Sequence, residues 1–539
     1  MNNNNYKINF IKNPEYKIDI NNINLKLKSD YFLNSKNGVK NPYILEHVDY
    51  NKYILSKYKL NICLTSDFFY PSFGGVENHM FQIATFLQRF GHKVIILTHY
   101  YEKDRIGERF IGNGIKVYYL PFYHTANKIV YPNVSFSTMG YINEVLLKES
   151  ISLVHIHQAT STLGTDVFHV ACILGIPCVF TDHSLFGIND LAGVNISKVT
   201  KSAFVDIDEF ICVSYTGRDN LYYRTNSYAN NIHVIPNCID FNKFKLKELK
   251  KHSIDNNNTN FNFNININNI PYDKLTTSKP YPINDIKLTL VSISRQVYRK
   301  GTDLLIEMLP ILYKIFPNMT FLIGGDGSKK YLLDNTVETF KMEDRVKLLG
   351  ALSHDKVKGV LEQGDIYLNT SLTETFCIAI LEAASCGLFV VSTDIGGVKE
   401  VLPEHMRILV NCKCDDIIEG IIHAVNHYDS IKRISSNFHY ELKECYTYHN
   451  AAYMTESVYY DAILLSDKSF KTRIKKILNN GKSSSYLNLL LIFCQLIVYY
   501  IFHVLFAKTN FKCKEFDYEK YILYLKDIEN KRYNKSNNN

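Results

Sequence analysis

The chain has 539 residues, 46% of them hydrophobic, and a formal net charge of +8. That length corresponds to about three to four domain-sized units with sizeable cores, and the lack of any basic repeat excludes a dedicated nucleic-acid-binding chain, while mild basicity suits an anionic substrate or a membrane surface. The 12 cysteines are scattered, with Cys412 and Cys414 the only close pair and no C-x2-C, so reduced thiols fit better than a disulfide framework or a zinc site.

Residues 1–57 are rich in Asn, Lys and Tyr without sustained periodicity and read as a mostly disordered extension. The opening MNNNNYKINF has no apolar segment of signal-peptide type. A first strand is predicted over 61–66 and a helix over 77–90. Between them Gly74 and Gly75 lie where a strand meets a helix start. Without Cβ atoms they let the backbone approach a phosphate, although a tight turn alone would look the same. Strands follow over 94–99 and 115–120, then an aromatic loop over 121–133. Its Tyr123, His124, Lys128 and Tyr131 suit either lipid headgroups or ordinary packing. A strand over 153–157 ends in His157, a helix covers 163–174, and a strand over 177–181 leads into Asp182 and His183. These three polar residues stand at carboxyl edges of strands, where open α/β sheets bind ligands. A strand over 209–213, a helix from SYTGRDN and a strand over 232–235 complete this half, with Asn237 and Asp240 opening the linker.

Residues 246–285 form an Asn-rich insertion, expected to be disordered and harmless to either core because loop-closure entropy grows only logarithmically with length. The second half starts with a strand over 287–292 and the turn SRQVYRKG. There Arg295 and Lys300 can face one diphosphate, or form a solvated basic turn. Strands over 319–323 and 345–349 precede the central block, 365–401. That block has a strand over 366–370, a polar turn, a helix over 376–385 and a strand over 389–393. Glu374 lies in the turn and Glu382 about two turns into the helix. The amides of Phe376, Cys377 and Ile378 are then unpaired donors at a helix start, an anion site. Taken alone, the two acids could simply favour the helix dipole. Gly396 and Gly397 make another close-approach turn, with a helix expected from about Val398, and 415–470 reads as helical. Last, 487–506 is an uncharged 20-residue run, long enough to span ~30 Å of hydrocarbon. Lys468, Lys471, Arg473, Lys475, Lys476 and Lys482 precede it and only Lys508, Lys512 and Lys514 follow, which orients the bulk of the chain to the cytosol.

The ordered segments PSFGGVENH, TDHSLFG, CVSYTGRDN, VIPNCID, SRQVYRKGTDLL, RVKLLGALSH, LNTSLTETFCIAILEAASCGL and GGVKEVLPE resemble retaining GT-B glycosyltransferases of the glycosyltransferase 4 type. Within these, the chain is similar to the PIG-A-like catalytic subunits of phosphatidylinositol N-acetylglucosaminyltransferase. The resemblance covers roughly 60–245 and 286–410; the insertion between them departs from it. It implies an α/β fold of two facing Rossmann-like domains with parallel sheets, over 58–245 and 286–430. Return helices over 431–470, a transmembrane helix over 487–507 and a lumenal tail over 508–539 would complete the chain at the endoplasmic reticulum. It further implies UDP-N-acetylglucosamine as donor, phosphatidylinositol as acceptor, partner membrane subunits and no nucleic acid. Glu374 would bind sugar hydroxyls and Glu382 the ribose. Arg295, Lys300 and the amides of Phe376, Cys377 and Ile378 would hold the diphosphate, with the Gly74-Gly75 loop facing it. His157, His183 and Asp182 would serve the acceptor, and Glu374, His157, Arg295 and Lys300 would form the catalytic set. The basic pair would replace a divalent metal, and no D-x-D motif lies at a strand end in either half. Two other readings stay open: a related lipid glycosyltransferase with another donor or acceptor, and a non-catalytic membrane scaffold.

Overall fold

Short apolar strands alternating with helices can bury both faces of a sheet only if the strands run parallel, and this chain does so twice. The computed structural model describes residues 59–72, 74–102, 105–112, 114–125, 129–130, 136–187, 206–225, 231–245 and 287–465, with isolated helical positions at Lys475, Leu478, Phe493 and Ile497. All lie within one compact unit, residues 45–539. The first sheet contains β1 (Asn61–Thr65), β2 (Lys93–His99), β3 (Gly107–Ile111), β4 (Ile115–Leu120), β5 (Leu153–His157), β6 (Cys178–Asp182), β7 (Glu209–Cys212) and β8 (Ile232–Val234). Their spatial order is β3-β4-β2-β1-β5-β6-β7-β8, with only β3 antiparallel. The second sheet contains β9 (Thr289–Ile293), β10 (Thr320–Gly324), β11 (Val346–Gly350), β12 (Ile366–Asn369), β13 (Phe389–Thr393) and β14 (Arg407–Val410), in the order β11-β10-β9-β12-β13-β14 and wholly parallel.

This order fixes where a site can form. In the first sheet the winding reverses between β1 and β5; in the second it reverses between β9 and β12. Loops leaving adjacent strands at a reversal part to opposite faces and leave a crevice at the carboxyl edge. The expected donor and acceptor residues leave these four strands or β6, next to β5.

The described helices of the first half are α1 (Gly75–Arg89), α2 (Phe136–Lys148), α3 (Thr162–Leu174) and α4 (Tyr215–Thr225). Ser161 caps α3 by accepting from the Gly164 amide, and Gly175 ends it in the left-handed region at φ 75°. The second half adds α5 (Thr302–Ile315), α6 (Lys330–Thr339), α7 (His354–Leu361), α8 (Ile378–Ser385), α9 (Cys414–Asn426) and α10 (Tyr428–Cys445). The last of the described helices, α11 (Tyr448–Leu465), returns to the first sheet. Its Tyr448, Ala452, Val458 and Tyr459 join the core built on Ile62, Leu64 and Ile96. Glu456 pairs with buried His92 at 2.7 Å, and Tyr459 meets His155 at 2.6 Å.

Several expectations shift. The strand β3 and the helix α2 were not anticipated; β3 is a half-exposed edge, so its apolar pattern is weak. The helix α8 starts at Ile378, two residues later than expected, because Phe376 turns into the core against Tyr446 and Cys377 takes φ 64°. After Gly397 only a single 3-10 turn forms, Val398–Glu400, rather than a helix. Among the described residues no helix is long and apolar enough to cross a membrane. The expected span over 487–507 lies outside them apart from Phe493 and Ile497, as do residues 1–57, the insertion from 246, Lys128 and Tyr131.

Candidate active site

The second-sheet half of the crevice is charged. The loop after β9 ends in a 3-10 turn, Tyr298–Lys300, closed by Gly301 at φ 68°. A Cβ at Gly301 would stand 1.8 Å from the Thr370 carbonyl, so this loop and the one after β12 touch only because residue 301 is glycine. That approach brings the Lys300 ammonium onto Oε1 of Glu374 in a short ion pair. Ser371 Oγ donates to the same oxygen at 3.0 Å. Arg295, expected beside Lys300, is exposed. The residue between them that anchors the loop is Gln296, buried and donating to the carbonyls of Ser294 and Gly324 at 3.2 Å. Glu382 faces His354 at 3.4 Å. Cys377 is enclosed, and burial pushes its thiol up to about 12. Across the crevice, a Cβ on Gly75 would lie in ordinary contact, 3.6 Å, with Ile378 Cδ1. The first residues of α1 and α8 therefore meet. Of the three amides expected at the start of α8, Phe376 and Cys377 lie before the helix, and the Ala379 and Ile380 amides face the Cys377 thiol, which leaves Ile378 as the expected donor at the first helical position.

The first-sheet half is neutral and buried. His155 and His157 lie two apart on β5, hence on one face, with ring centroids 4.1 Å apart. His157 Nδ1 and His183 Nε2 are 3.2 Å apart, and His79 of α1 packs edge-on to both rings. Burial holds His79 down at about 4 and His155, His157 and His183 well below the usual histidine range, the neighbouring imidazoles adding to it. The buried His157 Nε2 and His79 Nδ1 have no hydrogen-bond partner among the described residues. The nitrogens of His79, His157 and His183 all lie within 4.8 Å, so this trio could also hold a metal ion of the kind imidazole binds.

Asp182 is not a free acid here. Its carboxylate forms a buried ion pair with Arg224 and accepts from the Ser184 amide at 3.0 Å, which shapes the loop carrying His183. One D-x-D, Asp206 to Asp208, does precede β7. It lies at the amino edge, opposite the crevice, where Asp208 accepts from the Cys178 amide at 2.8 Å. Tyr123 is exposed, whereas His124 tucks against His99 with centroids 4.9 Å apart.

Sequence reasoning passed over His79, His155 and Asp67. The H-x-H of β5 was a legible signal, since alternate strand residues share a face. Asp67 follows β1 and accepts from the amides of Val130 at 2.8 Å and Leu163 at 3.1 Å. Burial pushes its carboxyl up to about 6, against the pull of those amides. It ties the crevice loops together.

Similarity to known proteins agrees with this layout. The family model described as PIGA (GPI anchor biosynthesis) matches residues 99–190, and that for glycosyl transferases group 1 matches 273–438. The chain is 38% identical to a phosphatidylinositol N-acetylglucosaminyltransferase subunit of Arabidopsis thaliana, over 75% of this chain and 83% of that one. It is 37% identical to the corresponding subunit of Homo sapiens, over 73% and 75%. Among solved structures, sucrose-phosphate synthase from Thermosynechococcus elongatus superposes with a TM-score of 0.56 at 15% identity, covering 75% of this chain and 99% of that one. Anabaena HepE in complex with UDP gives 0.55 at 16%, covering 75% and 100%. The architecture is thus the GT-B glycosyltransferase fold.

Proposed function

The chain belongs to the PIGA family of phosphatidylinositol N-acetylglucosaminyltransferase subunits, and on that premise we propose that it moves N-acetylglucosamine from UDP-N-acetylglucosamine to phosphatidylinositol, the first step of GPI-anchor biosynthesis. The observation that carries the reading is the Lys300–Glu374 pair at the β9/β12 crevice, faced by the starts of α1 and α8. A diphosphate suits the ammonium and the helix-start amides. A sugar hydroxyl suits the Glu374 carboxylate, which Lys300 now engages. Arg295 lies on the loop that leads to Lys300, close enough in sequence to reach the same anion. Glu382 and His354 offer a polar edge for the ribose. The acceptor enters on the side of His157 and His183. Neutral imidazoles there can hydrogen-bond an inositol hydroxyl without adding charge. Among the described site residues no carboxylate is poised as a nucleophile apart from Glu374, itself paired. The reading is therefore front-face substitution with retention, in which the departing phosphate takes the acceptor proton and the cations stabilise it.

The same proposal places residues 487–507 in the endoplasmic reticulum membrane, the catalytic domains in the cytosol and the chain in a complex of membrane subunits. The relatives are named as subunits, and Phe493 and Ile497 are exposed apolar positions one helical turn apart. Phosphatidylinositol stays in the bilayer, so a tethered crevice keeps its substrate within reach. The deciding experiment is a microsomal assay with labelled UDP-N-acetylglucosamine. A lipid product cleaved by phosphatidylinositol-specific phospholipase is expected; incorporation only from GDP- or ADP-sugars, or none, would overturn the reading. Truncation after residue 480 should release much of the chain from membranes while both sheets stay folded, since every described strand and helix that packs on them ends by Leu465.

A further inference from the structure

We propose that Glu400 is a positioning residue: its carboxylate clasps the start of a helix in the opposite domain and so aligns the acceptor histidines with the donor loop. Glu400 ends the short turn after Gly396-Gly397, on the second-sheet side. Its Oε2 accepts from the Tyr215 amide at 2.6 Å and its Oε1 from the Thr216 amide at 2.8 Å. The Thr216 hydroxyl donates to Oε1 at 2.5 Å. Tyr215 and Thr216 open α4, which packs on β7 and β8 of the first sheet. The amides at a helix start have no partner within the helix and carry the positive end of its dipole. Ser214 Oγ accepts from Gly217, one turn in. Glu400 supplies the cap for the two residues before it, from a site 185 residues away in sequence.

The clasp is continuous with the crevice. The Gly397 amide donates to the Glu374 carbonyl at 3.1 Å. A Cβ at Gly396 would stand 2.1 Å from that carbonyl, and one at Gly397 would stand 1.9 Å from the Thr375 carbonyl and 2.8 Å from Ser214 Oγ. Two glycines are therefore needed for the turn to seat between the Glu374 loop and the α4 start. Beside it the Thr375 hydroxyl donates to the His183 carbonyl at 3.2 Å. His183, Thr375 and Glu374 are thus held in one line, from the acceptor histidines to the residue paired with Lys300. All of the clasp's hydrogen bonds cross between the domains, so they exist only while the crevice is closed in this way. A charge-assisted bidentate cap favours that closure, and closure sets the distance between donor carbon and acceptor oxygen, to which transfer rates are steeply sensitive.

This inference rests on reading the crevice as a donor–acceptor transfer site. The test measures kinetics in microsomes from cells making the whole complex, and amide exchange and UDP titration on the purified full-length chain. Glu400→Ala should lower kcat roughly 10- to 100-fold while UDP affinity stays within about threefold, because most of the proposed donor contacts, Arg295, Lys300, Glu374 and Glu382, lie in the second domain. Glu400→Gln, which keeps one acceptor oxygen, should recover part of the loss. The amides of Tyr215 and Thr216 should lose protection in the Ala variant while those of β7 keep it. Unchanged kcat, a parallel loss of UDP binding, or unchanged protection at Tyr215 and Thr216 would overturn the proposal. Should Glu400→Ala not accumulate, Thr216→Val removes only the hydroxyl donor. A lowered kcat with unchanged UDP binding then supports the clasp, and wild-type kcat removes it. Failure of the wild-type complex to transfer sugar would instead sink the functional reading, and amide exchange would still decide the clasp.

Discussion

The two sides of the crevice solve the same topological problem with opposite chemistry. At the β9/β12 reversal the chain presents an ammonium and a carboxylate, each partly open to solvent and paired with each other. At the β1/β5 reversal and neighbouring β6 it presents stacked neutral imidazoles, buried around His157. The charged side can exchange partners when an anion arrives, since the pair is partly open to solvent and a phosphate can replace the carboxylate as partner of the Lys300 ammonium. The neutral side cannot acquire charge without losing its burial, so it offers shape and hydrogen bonds. Under the proposed function, the difference gives the diphosphate to one half and an uncharged hydroxyl to the other.

The contrast breaks first at Lys300. Replacing Lys300 by Ala should lower kcat/KM for the donor by about 1.5–3 kcal/mol, roughly 10- to 150-fold, with little change in melting temperature. Steady-state kinetics with purified microsomes checks it; wild-type values at normal expression would take Lys300 out of the site. The neutral half makes the opposite prediction, a stability effect that follows pH. His79 is held near 4 and His155, His157 and His183 well below the usual range, whereas the unfolded chain takes up protons on histidine near 6.5. The unfolded state therefore binds more protons below that point, and stability should be full above about 6.5 and fall as pH drops towards 4. Asp67 and Asp461, both pushed up to about 6 by burial, act the other way between about 4 and 6, but they stand against those four and His169, His423 and His439, which burial also lowers. Melting temperature across pH 4–7 should rise with pH, and His79→Gln should flatten the slope; a flat wild-type curve would show that these rings are not buried neutral.

Smaller effects sharpen the contrast. Arg295 is exposed, whereas Lys300 is half-buried against Glu374, so Arg295→Ala should cost about 0.5–1.5 kcal/mol in donor use, less than Lys300→Ala. An equal or larger loss would mean that Arg295 closes onto the diphosphate only when donor binds. The smallest expected effect is that of metal removal. EDTA should leave transfer unchanged if, as proposed, Lys300 and helix-start amides take the role of a cation at the leaving group. Loss restored by Mn²⁺ or Mg²⁺ would contradict this at the charged half. Loss restored by Zn²⁺ alone would move a metal to the His79, His157 and His183 trio.

The strands carrying the site were legible because parallel strands buried on both faces read as continuous apolar runs. Ile115–Leu120, Leu153–His157 and Phe389–Thr393 coincide with the predicted runs, and the polar residues following strands fall at the carboxyl edge by topology alone. Gly74-Gly75, Lys300, Glu374 and Glu382 stood out for the same reason: local chemistry and spacing announce a helix start or a turn. Pairings between distant segments left no such trace. Nothing near Asp182 announced Arg224, nothing in GGVKE announced that Glu400 would cap a helix in the other domain, and α11 gave no hint that Tyr459 would reach His155. Strand and turn patterns come from interactions between neighbours in sequence, which composition and period encode directly. A buried carboxylate's partner is chosen by which segments the two sheets bring together, and only the folded chain sets that distance.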